Sequence, residues 1–150
     1  MIRPATVEDA LAIADVHVAS WQSAYEGLIP QSYLDSMSVS SRQRDWTIAI
    51  TNSPTMIYVC EDEGDVVGFV AFGRGRDEDA SASQFGEVYA IYLKSSSWGQ
   101  GHGKALMDAA ILTMRDEGYR GSLLWVLDAN QRAIQFYMRN GFVADGHFKT

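Results

Sequence analysis

The stretch covering residues 85–106 constrains the fold more than any other part of the chain. An apolar, strand-like run at residues 87–93 is followed by a short polar link and by three glycines at alternate positions, Gly99, Gly101 and Gly103. Lys104 then opens a helical pattern. A glycine loop before a helix presents bare backbone N–H groups to an anion, and the helix dipole adds roughly half a positive charge there. The stretch therefore predicts a strand–loop–helix unit that binds a diphosphate.

Two common phosphate-binding motifs do not fit this spacing. A P-loop requires Gly-Lys-Ser/Thr, but Ala105 follows Gly103-Lys104, and Trp98 stands where the first glycine of that motif belongs. A dinucleotide-binding fingerprint requires a third small residue where this chain has Lys104. We therefore keep ATP or NAD binding only as an alternative.

Composition limits the class of protein. The 150 residues, 47% of them hydrophobic, suffice for one domain with a buried core. The formal net charge of −7 argues against a nucleic-acid-binding surface. No run approaches the roughly 18 apolar residues of a membrane span, and the N-terminal sequence MIRPATVEDA contains no apolar signal region. Cys60 is the single cysteine, which excludes an internal disulfide and suits a reducing compartment. Taken together, these features predict a cytoplasmic protein with neither a nucleic-acid nor a membrane partner.

Hydrophobic periodicity and turn residues predict the other elements. Asp62-Glu63-Gly64-Asp65 separates two β-rich runs, which is typical of a hairpin turn. In chain order, we predict strands at residues 1–4, 55–61, 66–72, 87–93, 122–127 and 142–148. We predict helices beginning near residue 10 and covering residues 38–52, 104–117 and 131–140.

A second motif lies near the C-terminus. Residues 130–142, NQRAIQFYMRNGF, contain Asn, an Ala three residues later, an aromatic-Tyr pair and a terminal Gly-Phe. Together with Gly101-His102-Gly103, this segment resembles the GNAT superfamily of acyl-CoA-dependent N-acyltransferases. The first signature of that family is Arg or Gln, two residues, Gly, one residue, then Gly or Ala. Trp98 departs from its first position, which affects only a side-chain contribution because the cradle is built mainly from backbone.

The resemblance implies a mixed α/β fold with a central twisted, mostly antiparallel sheet flanked by helices. The strands at residues 87–93 and 122–127 would splay apart and form a slot for acyl-CoA. Residues 1–150 would form one such domain. Similar sheets usually end in two strands after the last helix, and this chain has one; either the last strand is missing or another subunit supplies it. Subunit pairing is common in similar proteins, so a homodimer remains open.

The resemblance also implies acetyl-CoA as a co-substrate. The glycine loop would hold its diphosphate, and the strand edge and Asn130 would bind the amide groups of the pantetheine arm. His17, His102 and His147 show no metal-ligand spacing, so we predict no metal. The predicted cofactor-binding residues are Ile91, Tyr92, Leu93, Trp98, Gly99, Gln100, Gly101, His102, Gly103, Lys104, Asn130, Ala133 and Tyr137.

Two residues are predicted to carry the chemistry. Tyr137 lies seven residues, about two helical turns, after Asn130, so both share one face of the last helix. The resemblance implies that Tyr137 is the general acid, because a phenol beside the sulfur atom can donate a proton as thiolate charge develops. Glu87 is predicted as the general base for the amine, as in some members of the family. Tyr89, on the same strand face, is the alternative, acting through water.

The acceptor site is the part that the sequence defines least. Trp21 and Tyr25 are one helical turn apart, and we predict that they line it together with Tyr89. The acidic surface would attract a cationic acceptor, although the same charges also keep a protein soluble. We predict an N-acetyltransferase that transfers an acetyl group from acetyl-CoA to a primary amine of an unidentified small-molecule or peptide acceptor, by direct attack in a ternary complex. The alternative is a non-catalytic acyl-CoA-binding sensor or regulatory module.

Overall fold

One five-stranded sheet runs through the part of the chain that the computed structural model describes, residues 1–75, 84–127 and 129–143. The strands are β1 (Ile2–Pro4), β2 (Met56–Asp62), β3 (Asp65–Arg74), β4 (Phe85–Leu93) and β5 (Gly121–Leu124). The helices are α1 (Ala10–Ala24), α2 (Gln31–Ser36), α3 (Val39–Asn52), α4 (His102–Asp116) and α5 (Gln131–Arg139). The strands lie side by side in chain order, antiparallel except for the parallel pair β4–β5. The predicted mixed α/β fold is confirmed.

The hairpin between β2 and β3 follows from its turn residues. Asp62 pairs with Asp65, so the loop contains only Glu63 and Gly64. Both have positive φ angles, 53° and 85°, as a type I′ turn requires. That turn matches the twist of the flanking strands, and it fixes the register as far as the Glu61–Val66 pair. Beyond that pair a β-bulge at Val67 shifts the pairing by one residue, so that Cys60 lies opposite Gly68. The predicted hairpin is confirmed, although β3 continues beyond the predicted end to Arg74.

Helices cover both faces of the sheet, and each face has its own core. Burial of these apolar surfaces is the main force that holds the layers together. On the first face, α4 packs against β2, β3 and β4 through Cys60, Val67, Val70, Phe72, Val88, Leu106, Met107, Ala110 and Met114. On the second face, α1 and α3 cover the sheet, and the core between them and the strands contains Ile13, Val16, Ile57, Val59, Phe69 and Ala71.

A β-bulge in β4 changes which side chains face which layer. Ala90 pairs with Ala71 of β3, but Val88 pairs with the next residue of β3, Phe72, so Tyr89 is the extra residue. Strict alternation would place Tyr92 on the face opposite Glu87. Because of the bulge, Tyr92 instead joins the second core, on the same face of the sheet as Glu87.

The strands β4 and β5 pair only over their first four residues. The ladder begins at Phe85–Gly121 and ends at Val88–Leu124. Residues 89–93 continue along β3, and within the described ranges no strand pairs with their other edge. This separation matches the predicted splay. The prediction that β5 reaches residue 127 is wrong, because the chain leaves the sheet after Leu124.

The last predicted strand, residues 142–148, lies mostly outside the described residues, as does most of the polar link before β4. Among the helices that the structure describes, none combines the length and the apolar character that crossing a membrane requires.

Candidate active site

The glycine loop joins the end of β4 to the start of α4. Gly99 and Gly101 have φ angles of 76° and 86°, in the left-handed region, and Gly101 is the N-cap of α4. A Cβ atom at either position would meet no other heavy atom within 4 Å, so open space lies above the loop. The first four N–H groups of a helix have no partner within that helix. The loop therefore combines room for an anion with backbone donors directed toward it.

Gly103 serves a different purpose from the one that the sequence suggests. A Cβ atom at this position would lie 3.1 Å from the ring of Phe136. Its missing side chain therefore lets α4 pack closely against α5, rather than letting a phosphate approach. Gly103 therefore allows the end of the glycine loop to pack directly on α5, the helix that carries Tyr137.

The polar side chains around the loop contact other groups of the protein. Lys104 pairs with Asp108 at 2.7 Å, one helical turn away. His102 Nε2 lies 3.6 Å from a carboxylate oxygen of Asp62 on β2. The side-chain amide of Gln100 donates to the carbonyl oxygen of Ser96 at 3.4 Å, again within the loop. Most of the anion-binding capacity of this segment therefore comes from its backbone.

The open edge of β4 contains the next three predicted cofactor residues. Ile91 and Leu93 pack on the face covered by α4, and Tyr92 packs on the face covered by α1. The carbonyl oxygen of Leu93 accepts a hydrogen bond from the indole N–H of Trp98 at 3.0 Å. This edge lies where β5 has separated, next to the glycine loop. Backbone groups on this edge that have no strand partner among the described residues can form hydrogen bonds with an added extended chain.

Helix α5 brings the second motif to the same end of the sheet. The side-chain oxygen of Asn130 accepts from the backbone N–H of Ala133 at 3.2 Å and so caps the helix. Tyr137 follows two turns later, and its ring contacts those of Phe136 and Phe142 at centroid distances of 5.6 and 6.2 Å. Among the described residues, no hydrogen bond to the Tyr137 hydroxyl is found.

Tyr137 is held in its protonated form. Burial raises the pKa of its phenol well above the ordinary value, and the nearby phenols of Tyr92 and Tyr25 raise it further. The three hydroxyl groups are thus close enough to influence one another electrostatically, although they come from three separate elements. The phenol of Tyr137 is therefore protonated at neutral pH. It can act as a proton donor but not as a base.

Glu87 is almost completely buried, with 1% of its surface exposed. It lies in β4 opposite Gly73 of β3. The ring of Tyr89 covers Gly73, where a Cβ atom would lie 3.0 Å from the Tyr89 hydroxyl, and that hydroxyl donates to the carbonyl oxygen of Arg74. Glu87 and Tyr89 therefore share one face, as predicted, and Tyr89 also helps to hold the end of β3.

The predicted acceptor residues Trp21 and Tyr25 belong to an aromatic cluster centred on Tyr92. The indole N–H of Trp21 donates to the Tyr92 hydroxyl at 2.8 Å, and the rings of Trp21 and Tyr25 meet edge to face at 4.7 Å. Tyr33 of α2 lies 6.4 Å from Trp21. Burial raises the pKa of Tyr92 to about 12. The cluster therefore offers aromatic faces and the protonated phenol of Tyr92 beside the open edge of β4.

His17 is a member of this cluster that sequence reasoning missed. Its ring stacks on Tyr92 at 5.4 Å with an interplanar angle of 13°. Its Nδ1 atom accepts from the indole N–H of Trp46 at 3.1 Å. Burial, assisted by the charge of Arg42, lowers the pKa of His17 to about 4, against an opposing effect of Asp45. The only sequence signal is that His17 lies one helical turn before Trp21.

The buried His17 predicts a specific pH dependence of stability. The unfolded chain binds a proton at His17 near pH 6.5, whereas the folded chain binds it only near pH 4. The unfolding free energy therefore decreases as the pH falls from about 6.5 toward 4. Urea unfolding of the wild type and of His17→Gln, which keeps an acceptor for Trp46, measures this. The variant is expected to lose less stability between pH 7 and 5, and equal losses would contradict the prediction.

Within residues 1–75, 84–127 and 129–143, no three His, Cys, Asp or Glu side chains lie together in a way that could hold an ion.

Comparison with known proteins places this arrangement in a family. The sequence profile of the Acetyltransferase (GNAT) family matches residues 16–142. The uncharacterized N-acetyltransferase YuaI of Bacillus subtilis is 36% identical over 137 residues, which cover 91% of this chain and 76% of that protein. A mycothiol acetyltransferase of Propionibacterium freudenreichii is 40% identical over 90 residues, 59% of this chain and 28% of that protein.

A solved structure supports the same assignment at the level of the fold. The PaiA N-acetyltransferase of Thermoplasma acidophilum, crystallised in complex with coenzyme A, superposes with a TM-score of 0.81. The sequences are 22% identical, and the alignment covers 99% of this chain and 92% of that one. The chain belongs to the GNAT acetyltransferase family. Within that family it is an acetyl-CoA-dependent N-acetyltransferase.

Proposed function

We propose that the enzyme transfers the acetyl group of acetyl-CoA to a primary amine of a small-molecule or peptide acceptor, by direct attack in a ternary complex. The observation that carries this proposal is the meeting of three features at one end of the sheet. They are the glycine loop with left-handed Gly99 and Gly101, the open edge at residues 89–93, and Tyr137. The two binding features can hold the co-substrate, and Tyr137 can act on its leaving group.

The binding roles divide along the length of the co-substrate. The backbone N–H groups of residues 99–104 hold the diphosphate, helped by the dipole of α4. The backbone groups of Ile91 and Leu93, which point away from β3, bind the amide groups of the pantetheine arm as an added strand would, and Tyr92 lies between them. Asn130 and Ala133, at the start of α5, close the other side of the slot.

Acetyl-CoA supplies a thioester. The amine nitrogen attacks its carbonyl carbon, so a C–N bond forms and the C–S bond to CoA breaks. The phenol of Tyr137 donates its proton toward the sulfur, which prevents release of an unprotonated thiolate. The amine must be neutral to attack, and the buried carboxylate of Glu87 receives its proton, directly or through water. Tyr89, which shares a strand face with Glu87, orders such a water.

The acceptor lies against the aromatic cluster in this proposal. Trp21 and Tyr25 present ring faces that bind the apolar or cationic part of an amine. The net charge of −7 favours the approach of a cation from solution. We further propose that residues 1–150 act as one domain; a cytoplasmic location and a homodimer stay predictions.

A direct assay tests the proposed function. The chain is incubated with acetyl-CoA and a panel of primary amines, including amino acids, diamines, aminoglycosides and peptides, and thiol release is followed. We expect release that depends on the amine, together with a stoichiometric acetylated product by mass spectrometry. Calorimetry with CoA is run in parallel. Heat of CoA binding without acetylation of any amine would argue for a non-catalytic acyl-CoA sensor, and a failure to bind CoA would refute the proposal altogether.

A further inference from the structure

A cation–π contact joins the glycine loop to α5. The guanidinium carbon of Arg132 lies 3.2 Å from the centre of the Trp98 ring. Trp98 is itself fixed, because its indole N–H donates to the carbonyl oxygen of Leu93 at 3.0 Å. Arg132 belongs to the first turn of α5, just after the Asn130 cap. The contact therefore places a positive charge from one helix beside the loop that begins the other.

Arg132 differs from the other basic side chains near the loop. Lys104 is paired with Asp108 at 2.7 Å, and His102 lies 3.6 Å from Asp62. For Arg132, no acidic side chain lies within ion-pairing distance among the described residues. Burial, together with the positive charge of Arg139, lowers the pKa of Arg132. Within the part of the chain that the structure describes, Arg132 therefore has no counter-anion, although the full sequence carries a net charge of −7.

The stacked geometry leaves the hydrogen-bonding capacity of the guanidinium available. A cation–π contact engages the face of the group, whereas its N–H donors point outward in its plane. A planar fork of donors matches two oxygens of a phosphate. Trp98 stands where similar chains have Arg or Gln in the loop motif, so the loop itself lacks that side chain.

We propose that Arg132 is a co-substrate-binding residue that donates in-plane N–H groups to the diphosphate of acetyl-CoA, and that Trp98 is the positioning residue that holds it there. The positive charge that the loop lacks at position 98 is thus supplied from α5. This inference rests on the proposed function. It also means that α5, the helix that carries Tyr137, contributes a side chain to the diphosphate site.

Calorimetric titration of CoA tests the role of Arg132. Arg132→Gln is expected to raise the Kd about tenfold, the usual size of losing a charge-assisted hydrogen bond. Arg132→Lys, which keeps the charge but not the planar fork, is expected to raise it less. The matched control is Arg44→Gln on α3, which removes one positive charge on the other side of the sheet. We expect the Kd of the control to equal that of the wild type.

Two further readouts separate phosphate binding from a structural effect. The slope of log Kd against log salt concentration is expected to decrease in Arg132→Gln but not in Arg44→Gln, because an ionic contact is screened by salt. A double-mutant cycle tests Trp98: Trp98→Leu is expected to weaken CoA binding, and combining it with Arg132→Gln is expected to add little. An unchanged salt slope, or full additivity of the two changes, would overturn the assignment.

A comparison of two ligands shows which phosphate Arg132 contacts. It also distinguishes a failure of this inference from a failure of the proposed function. The 3′-dephospho form of CoA retains the diphosphate, so Arg132→Gln is expected to weaken its binding by the same factor. A loss confined to intact CoA would assign Arg132 to the 3′-phosphate and refute the diphosphate contact. If the wild type binds CoA and Arg132→Gln binds it equally well, this inference alone fails. If the wild type does not bind CoA, the proposed function fails with it.

Discussion

Tyr137→Phe is expected to lower kcat by about a hundredfold, the typical contribution of a general acid, while the Kd for CoA stays within a factor of about two. The substitution removes one oxygen atom and keeps the ring contacts with Phe136 and Phe142. The hydroxyl has no hydrogen-bond partner among the described residues, so its loss leaves no protein group unsatisfied. Steady-state kinetics with the acceptor found in the amine panel, together with calorimetry of CoA, measures the two effects separately.

A second tyrosine provides the control for Tyr137. The hydroxyl of Tyr58 lies 2.9 Å from Thr113 Oγ1, between β2 and α4 and outside the proposed site. Tyr58→Phe is therefore expected to keep its kcat, with any change confined to stability. Because the pKa of Tyr137 is raised above the ordinary value, its phenol stays protonated at neutral pH and kcat shows no titration of this group there. Wild-type turnover in Tyr137→Phe would remove it from the mechanism.

Glu87→Gln is expected to reduce kcat/KM at pH 7 by about a hundredfold, as the loss of a general base does. The amide has nearly the shape of the carboxylate, so the buried site in β4 keeps its packing. The deficit should narrow as the pH approaches the pKa of the acceptor amine, because the amine then loses its proton without help. A pH profile of kcat/KM from 6.5 to 10 for both proteins is the measurement.

Glu117→Gln is the matched control for Glu87, since Glu117 is an exposed carboxylate just after α4. It is expected to behave as the wild type at every pH. A deficit in Glu87→Gln that is the same at all pH values would mean that Glu87 supports the structure of the site. No deficit at all would leave proton removal to water ordered by Tyr89.

Much of the fold is predictable because neighbouring residues decide it. Glu63-Gly64 adopts the positive φ angles of a two-residue hairpin, and Gly101 adopts the left-handed conformation at the start of α4. Asn130 caps α5 as its side chain allows. Each of these conformations depends on a handful of adjacent residues, so a single sequence contains the information. The glycine loop and the placement of Tyr137 on its helix follow from the same local rules.

Other features depend on register and packing between distant segments. The bulge at Tyr89 arises from how β4 pairs with β3, and it moves Tyr92 to the face that carries Glu87. The strand β5 ends at Leu124, three residues before the predicted end at residue 127, because an apolar run does not reveal where a strand loses its partner. Local patterns contain neither piece of information.

By itself, the sequence determined the family motifs, the glycine loop before α4, the hairpin, and the spacing of Asn130 and Tyr137 along α5. Only the tertiary structure decided that His17 stacks on Tyr92, that Gly103 is a packing glycine, and that Arg132 lies on Trp98. The physical reason is the range of the interactions. Backbone conformation and helix capping act over a few residues, whereas burial, ring stacking and charge placement depend on which distant segments the folded sheet and helices bring into contact.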